Sequence, residues 1–342
     1  MKSLLTSLVA LAALGLAGPL IACELCSVYR AAGGAGSPRE GFLVTVSEQF
    51  IPFGTPLLAG KGVSPSFPEH LESSITHLVL GYDLAPGAGI SLSLPITRLQ
   101  YRRTDLRYSP AGPPSLVTES GTELGLGDLS LIGRGTLLRT RGPGPTLRID
   151  VLAGVKLPTG DADRIADEVR QSEVFASFLP PGTPHDPLGH SISGVHSHAL
   201  ALGSGSVDAL FGATATVALE SWFLGVQGQY YLRTEGESGF RFGDERMVSG
   251  GPGRVLLHRP GGWELSLQGI VSYESIGRDR LLGVDSGRTG SRGWYAGPLL
   301  QVTGAGGRLS GNLGAELPFG RMNGGYQLMP DFRFHGGITW RF

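Results

Sequence analysis

The sequence predicts an all-β chain: a transmembrane antiparallel β-barrel of about twelve strands, with long extracellular loops and short periplasmic turns. Three observations lead there. Apolar and polar residues alternate with period two along most of the chain. The connections between these segments are long and short by turns. The composition pairs 55 Gly and 23 Pro in 342 residues with only 17% charged residues. No apolar run after residue 22 reaches the ~18 residues of a membrane helix. The glycines follow no triplet period, which excludes collagen, and recurrent apolar segments exclude wholesale disorder. A net charge of −1 gives no case for nucleic-acid binding, and two cysteines exclude a disulfide-dense scaffold.

In chain order, Lys2 precedes an apolar run from Leu4 to Leu16, followed by small residues before Cys23, the pattern of an export signal. Residues 1–22 are therefore excluded from the fold. Leu20-Ile21-Ala22-Cys23 has the form of a bacterial lipobox, which would lipidate Cys23; ordinary cleavage after Ala22 is the alternative. Residues 23–40 form a periplasmic N-terminal segment, and 41–342 the barrel. Strands are expected at 41–52, 73–84, 90–103, 124–139, 146–157, 206–218, 221–233, 246–258, 263–275, 292–303, 308–317 and 331–342. In the fifth, Leu147, Ile149, Val151, Ala153 and Val155 alternate with Arg148, Asp150, Leu152, Gly154 and Lys156. In the last, Phe332, Phe334, Ile338, Trp340 and Phe342 share one face. Aromatic residues near strand ends suit interfacial girdles. The terminal aromatic Phe342 resembles the signal read by the barrel assembly machinery, an expected partner alongside outer-membrane lipid.

The long connections are expected near 53–72, 104–123, 158–205, 234–245, 276–291 and 318–330. The longest, 158–205, has a Gly- and Pro-free stretch at 161–178 that can form a short helix acting as a lid or plug. If apolar faces meet lipid, the opposite faces line the lumen. The expected lining is Asp128, Arg134, Arg148, Asp150, Lys156, Asp208, Arg233, Arg254, Glu264, Glu274, Arg308, Glu316, Arg333 and Arg341. Its mixed signs argue for no charge preference; the charges either pair across the lumen or line a polar channel.

Three phrases occur in order: Gly125-Leu126-Gly127-Asp128-Leu129, Gly154-Val155-Lys156-Leu157-Pro158-Thr159-Gly160-Asp161, and Leu202-Gly203-Ser204-Gly205-Ser206-Val207-Asp208. With them the chain, over roughly 40–342, resembles the outer-membrane β-barrel family named for the meta-pathway of phenol degradation. The resemblance implies a channel in the outer membrane of a Gram-negative bacterium for small, including aromatic, molecules, and leaves the solute open.

Two polar clusters stand outside that pattern. Cys23 and Cys26 form a Cys-x-x-Cys that can bind metal, carry redox chemistry or close a simple disulfide. His185, His190, His196 and His198, half of the eight histidines, crowd into the longest loop; they suit either a metal ion or a solvated polar loop. Neither cluster requires a cofactor. No Gly-x-Ser-x-Gly elbow, Walker loop or His-Glu-x-x-His occurs, so no enzyme is expected. The expected function is a porin-like channel. The alternatives are a structural sheath around a periplasmic redox protein docking at the N-terminus, and metal handling through the Cys pair and loop histidines.

Overall fold

The period-two pattern becomes a closed ring of twelve antiparallel strands. The computed structural model describes residues 41–140, 142, 144–236 and 238–342. The signal segment, residues 23–40 and the Cys23/Cys26 pair lie outside the described residues. The strands are β1 (Gly41–Leu58), β2 (His70–Ala85), β3 (Ala88–Ser109), β4 (Gly112–Leu126 continuing as Leu129–Arg139), β5 (Thr146–Leu157) and β6 (Asp208–Leu219). They continue as β7 (Trp222–Leu232), β8 (Glu245–His258), β9 (Glu264–Ile276), β10 (Ser291–Gly304), β11 (Leu309–Asn323) and β12 (Tyr326–Pro330 continuing as Arg333–Arg341). β1 pairs with β2 through Leu43↔Gly81 and with β12 through Leu43↔Arg341, which closes the ring.

Parity then sorts the side chains. On β1, Thr45, Ser47 and Gln49 point inward and are buried, and Thr45 Oγ1 meets Thr339 Oγ1 of β12 at 2.8 Å. The outward faces carry Leu78, Leu80, Val217, Leu224, Val271, Leu313 and Ile338, the last 62% exposed. A soluble protein would not leave such a continuous apolar band in water; a bilayer covers it. Aromatic residues mark its edges. Phe42 and Tyr82 pack edge-on at 4.8 Å at the short-turn end, with Trp222, Trp263 and Trp340 near the same rim. Tyr273 and Trp294 sit 4.7 Å apart toward the long-loop end. From Trp263 to Tyr273 is about 33 Å of strand, or about 25 Å of height at a tilt near 40°, the thickness of an outer-membrane apolar band. No helix of the described residues is long and apolar enough to cross a membrane.

The short connections, such as 86–87 and 220–221, lie at one end, and the major loops 59–69, 158–207, 233–244 and 277–290 at the other. Two expected loops are instead strand. Residues 104–123 extend β3 and β4 into a hairpin with its turn at 110–111, and 318–330 extend β11 and β12 around Gly324-Gly325. Both extensions rise beyond the aromatic rim, where strands meet water on both faces and lose apolar alternation. The helix expected at 161–178 is α1, Asp163–Ser177. Just ahead of it, Asp161 accepts the Asp163 N–H at 2.8 Å in an Asx turn, and Ala162 occupies the cap position.

Candidate functional site

The bore has two halves. Its periplasmic half is a cavity of about 710 Å³, lined among others by Arg148, Asp150, Thr214, Gln227, Glu264, Gln301 and Asn312. Its outer half is filled by the loop 158–207. Val195 and Leu200 of this loop are 1% and 0% exposed. They pack among inward-facing Ile51 and Phe53 of β1, Leu71 of β2, Leu99 and Tyr101 of β3 and Leu328 of β12. Burying each such side chain contributes about 1.5–3 kcal/mol. Between the loop and the wall remains a gap of about 80 Å³, bordered by Ile75, Leu99, Lys156, Leu202 and Arg233, room for only two or three waters at about 30 Å³ each.

Polar tethers hold the loop on several sides. Asp105 accepts from Ser191 Oγ (2.8 Å) and the Ile192 N–H (2.9 Å). Arg103 donates to the Val195 carbonyl (3.3 Å), and Glu69 accepts the Gly194 N–H (3.0 Å). The hairpin of β3 and β4 clasps α1: Arg164 meets Glu119 (2.8 Å) and Glu123, and Arg107 meets Asp167 (2.7 Å). From the far side, Arg288 donates to the Ser191 carbonyl (2.9 Å), and Asp186 accepts from Ser286 Oγ (2.7 Å).

The three glycine-rich phrases meet at the base of this loop. Asp128, between the two segments of β4, accepts from Lys156 Nζ (2.8 Å), the Gly160 N–H (3.0 Å), the Ser204 N–H (2.8 Å) and Ser204 Oγ (2.7 Å). Lys156 also meets Asp208 (3.0 Å), Asp208 meets Arg233 (3.0 Å), and Arg233 meets Glu245. All five charges are buried. The backbone runs so close here that a Cβ on Gly203 would stand 2.5 Å from the Gly160 carbonyl, and one on Gly160 would stand 2.7 Å from Gly203 Cα. Only glycine fits either position.

The expected lining residues therefore divide. Arg148, Asp150 and Glu264 line the open vestibule. Asp128, Lys156, Asp208 and Arg233 form the buried knot. Arg134 pairs with Asp83, with Arg341 3.9 Å from the same carboxylate. Glu274 pairs with Arg333, whose guanidinium lies 3.5 Å from the Tyr295 ring centre, and Glu316 faces His335 at 3.9 Å. Two expectations are corrected. Arg254 points outward, because odd positions of β8 (Met247, Ser249, Gly253) face the lumen; its guanidinium lies 5.2 Å from the Trp222 ring centre at the rim. A long cation reaches the headgroup level from an outward position. Arg308 is exposed in the turn before β11 rather than on a strand.

The histidines also divide. His185 is exposed, with Nδ1 3.1 Å from the Thr183 carbonyl. His190, His196 and His198 are buried around Glu168 of α1. His190 Nε2 lies 2.8 Å from Glu168 Oε1, His196 Nδ1 3.9 Å from the same oxygen, and His198 Nδ1 3.4 Å from Oε2. Asp279, from loop 277–290, stands 3.4 Å from His198 Nε2. Burial alone would raise the Glu168 carboxyl, but the three facing imidazoles outweigh it and hold it well below the usual carboxylate range. Burial opposes charge on His198, but Glu168 and Asp279 prevail and raise it. Burial raises Asp279, against the pull of His198 and the Gly243 N–H. Glu168, Asp279 and Glu245 escaped the sequence reading: Glu168 sits on an ordinary amphipathic helix, and Asp279 arrives from about eighty residues downstream with no local pattern to mark it.

No family model matches the sequence, and no curated protein matches it. Among solved structures, the chain is similar to an outer membrane channel from Pseudomonas putida F1, at 16% identity over 91% of this chain and 98% of that one, with a TM-score of 0.59. Weaker similarities include the CymD monoaromatic hydrocarbon channel (10% identity, 89% of each chain, TM-score 0.36). Another is the translocator domain of the autotransporter NalP from Neisseria meningitidis (9% identity, 93% and 94%, TM-score 0.40). The first likeness is one of fold, that of an outer-membrane β-barrel. Together with the lipid-facing belt it locates the chain in the outer membrane.

Proposed function

We propose that this protein is a passive outer-membrane channel for small molecules, with its bore stopped on the outer side by the loop 158–207. The observation that carries the reading is the vestibule of about 710 Å³ beneath a loop that occupies the rest of the lumen. A structural barrel has no need of an open half; eight-stranded barrels fill theirs with side chains. The lining mixes hydroxyls and amides with Ile270, Leu299 and Phe223, and sets Arg148 against Asp150 at 2.7 Å. Such a wall suits neutral or amphipathic solutes, aromatic ones included, better than strongly charged ones. The resemblance to the meta-pathway family and the fold of the Pseudomonas channel point the same way. In this reading the loop moves during passage, since the gap between it and the wall, about 80 Å³, is far smaller than the vestibule below.

The test is conductance in planar bilayers, comparing the full chain with a variant in which 163–200 is replaced by a short Gly/Ser linker. The full chain should be closed for most of the time. The shortened one should show large, stable steps, and its liposomes should swell in small aromatic and sugar solutes. A shortened barrel that folds, shown by heat-modifiable migration, yet never conducts would remove the reading.

A further inference from the structure

We propose that Glu168, His196 and His198 form a site for a divalent transition cation of the zinc class, and that the ion fastens the loop in the bore. The three residues are buried, and their donor atoms all lie within 4.8 Å of one another. Ligands about 2.0–2.2 Å from a tetrahedral zinc stand roughly 3.3–3.6 Å apart. Glu168 Oε2 and His198 Nδ1 are 3.4 Å apart, and Glu168 Oε1 and His196 Nδ1 3.9 Å. The two distances run to different oxygens of the one carboxylate, so side-chain rotation must bring one oxygen and both nitrogens, now within 4.8 Å of one another, to one centre. Two imidazoles and one carboxylate select zinc-like ions over calcium and magnesium, which prefer all-oxygen sites. A solvent molecule completes four-coordination.

The surroundings support the assignment independently. The Nδ1 atoms of His196 and His198 and Oδ2 of Asp279 are buried without a hydrogen-bond partner, which is costly for polar atoms. Both ring nitrogens of His198 face carboxylates, Glu168 and Asp279. A ring that ligates a metal is neutral and has one N–H, so it satisfies one of them by hydrogen bonding. A cation at Nδ1 satisfies Glu168 and leaves the Nε2–H for Asp279, the carboxylate–histidine–metal arrangement that orients a ligand and raises its basicity. Both His190 nitrogens are already engaged, Nδ1 with the Pro187 carbonyl at 3.1 Å and Nε2 with Glu168 at 2.8 Å, whereas the Nδ1 atoms of His196 and His198 are not. It therefore positions the Glu168 carboxylate rather than binding the ion. Phe240, its ring 4.9 Å from that of His198, and Phe242 shield the cluster. Glu168 comes from α1, the two histidines from the buried arm of the loop, and Asp279 from a neighbouring loop. An ion at their junction thus joins segments otherwise held by hydrogen bonds and packing.

The consequence for gating rests on the channel reading; the binding does not, and it is measured without conductance. Untagged full chain, in a Cys23→Ser/Cys26→Ser background that removes the other thiol ligands, is stripped with a chelator, exposed to zinc and washed. Metal content should be about one zinc per folded chain, falling at least about tenfold in His196→Ala/His198→Ala and in the isosteric Glu168→Gln. X-ray absorption on the unsubstituted histidine site needs no folded variant and should show a nitrogen/oxygen shell with the imidazole signature. Equal zinc in all chains, no retained zinc, or a shell without imidazole overturns the site. Proteinase K should cut the exposed segment 178–186 about tenfold faster after chelation; an unchanged rate overturns the fastening. A chain that binds zinc while its folded, loop-shortened variant never conducts leaves this proposal standing and sinks the channel.

Discussion

Replacing Lys156 with Met should free the loop without unfolding the barrel. Lys156 Nζ touches Asp128 at 2.8 Å, Ser204 at 2.7 Å and Asp208 at 3.0 Å, with its side chain 3% exposed. Without it, Asp208 keeps Arg233 and the Thr234 N–H, but Asp128 keeps only neutral donors from Gly160 and Ser204. Removing one partner of a buried ion pair costs about 3–5 kcal/mol, because the other charge is left uncompensated. The strands of β4, β5 and β6 retain their ladders, so the loss falls on the docked loop, two of whose residues, Gly160 and Ser204, belong to the knot. At about 1.4 kcal/mol per tenfold, the docked-to-undocked ratio should fall roughly a hundred- to a few-thousand-fold. Single-channel open probability and proteinase K cutting of the loop should both rise, while heat-modifiable migration of the barrel stays as it is. Asp128→Asn combined with Lys156→Met should recover much of the closed state, since no orphan charge remains at Asp128. A folded Lys156→Met barrel with unchanged opening and cutting, or a double variant as severe as the single, would refute the reasoning.

Other consequences are as open to measurement. Gly203→Val places a Cβ 2.5 Å from the Gly160 carbonyl and 2.7 Å from Asp128 Oδ1; it should raise loop proteolysis as Lys156→Met does, and wild-type resistance would contradict the contact. Arg148→Glu reverses a charge in the vestibule, where the Arg148–Asp150 pair is partly exposed. Reversal potentials in a salt gradient should shift toward cations, with a stability change no larger than about 1 kcal/mol; an unmoved reversal potential would take Arg148 off the ion path. Arg254→Ala should leave conductance and selectivity alone and lower stability by at most about 1 kcal/mol, the value of an exposed cation–π contact. A selectivity change there would return Arg254 to the bore.

The barrel was legible wherever one strand face meets lipid. Leu147, Ile149 and Val151 opposite Arg148, Asp150 and Leu152 form a pattern that only a two-sided environment imposes, and β5 lies as that pattern requires. Above the membrane the constraint lapses. The outer parts of β3 and β4 carry Arg102, Arg103, Asp105 and Arg107 opposite Ser120, Glu119, Val117 and Ser115, and nothing in that run distinguishes a hairpin from a loop. Arg254 was misread because charge was equated with the lumen, whereas a rim position accepts a long cation on its outward side. The glycine phrases were visible, but their meaning was not. Gly160 and Gly203 lie more than forty residues apart, and their contact exists only once the loop folds back. The histidine spacing marked His196 and His198 as neighbours, yet the carboxylates that give the cluster its chemistry come from a helix and a distant loop.

The apolar seat of the loop is built by Ile51, Phe53, Leu71, Leu99 and Tyr101 from the first three strands and Leu328 from the last, with Leu328 N–H donating to the Gly194 carbonyl at 3.3 Å. Those partners are separated by most of the chain and become adjacent only when β12 zips against β1. Contacts of such sequence separation form late, after their loop-closure entropy has been met by other pairings. Maturation of this protein is therefore ordered: the seam must close before the loop finds its full seat. A half-assembled barrel is an unsealed one, and the time between seam closure and loop seating is the interval in which the nascent pore would leak.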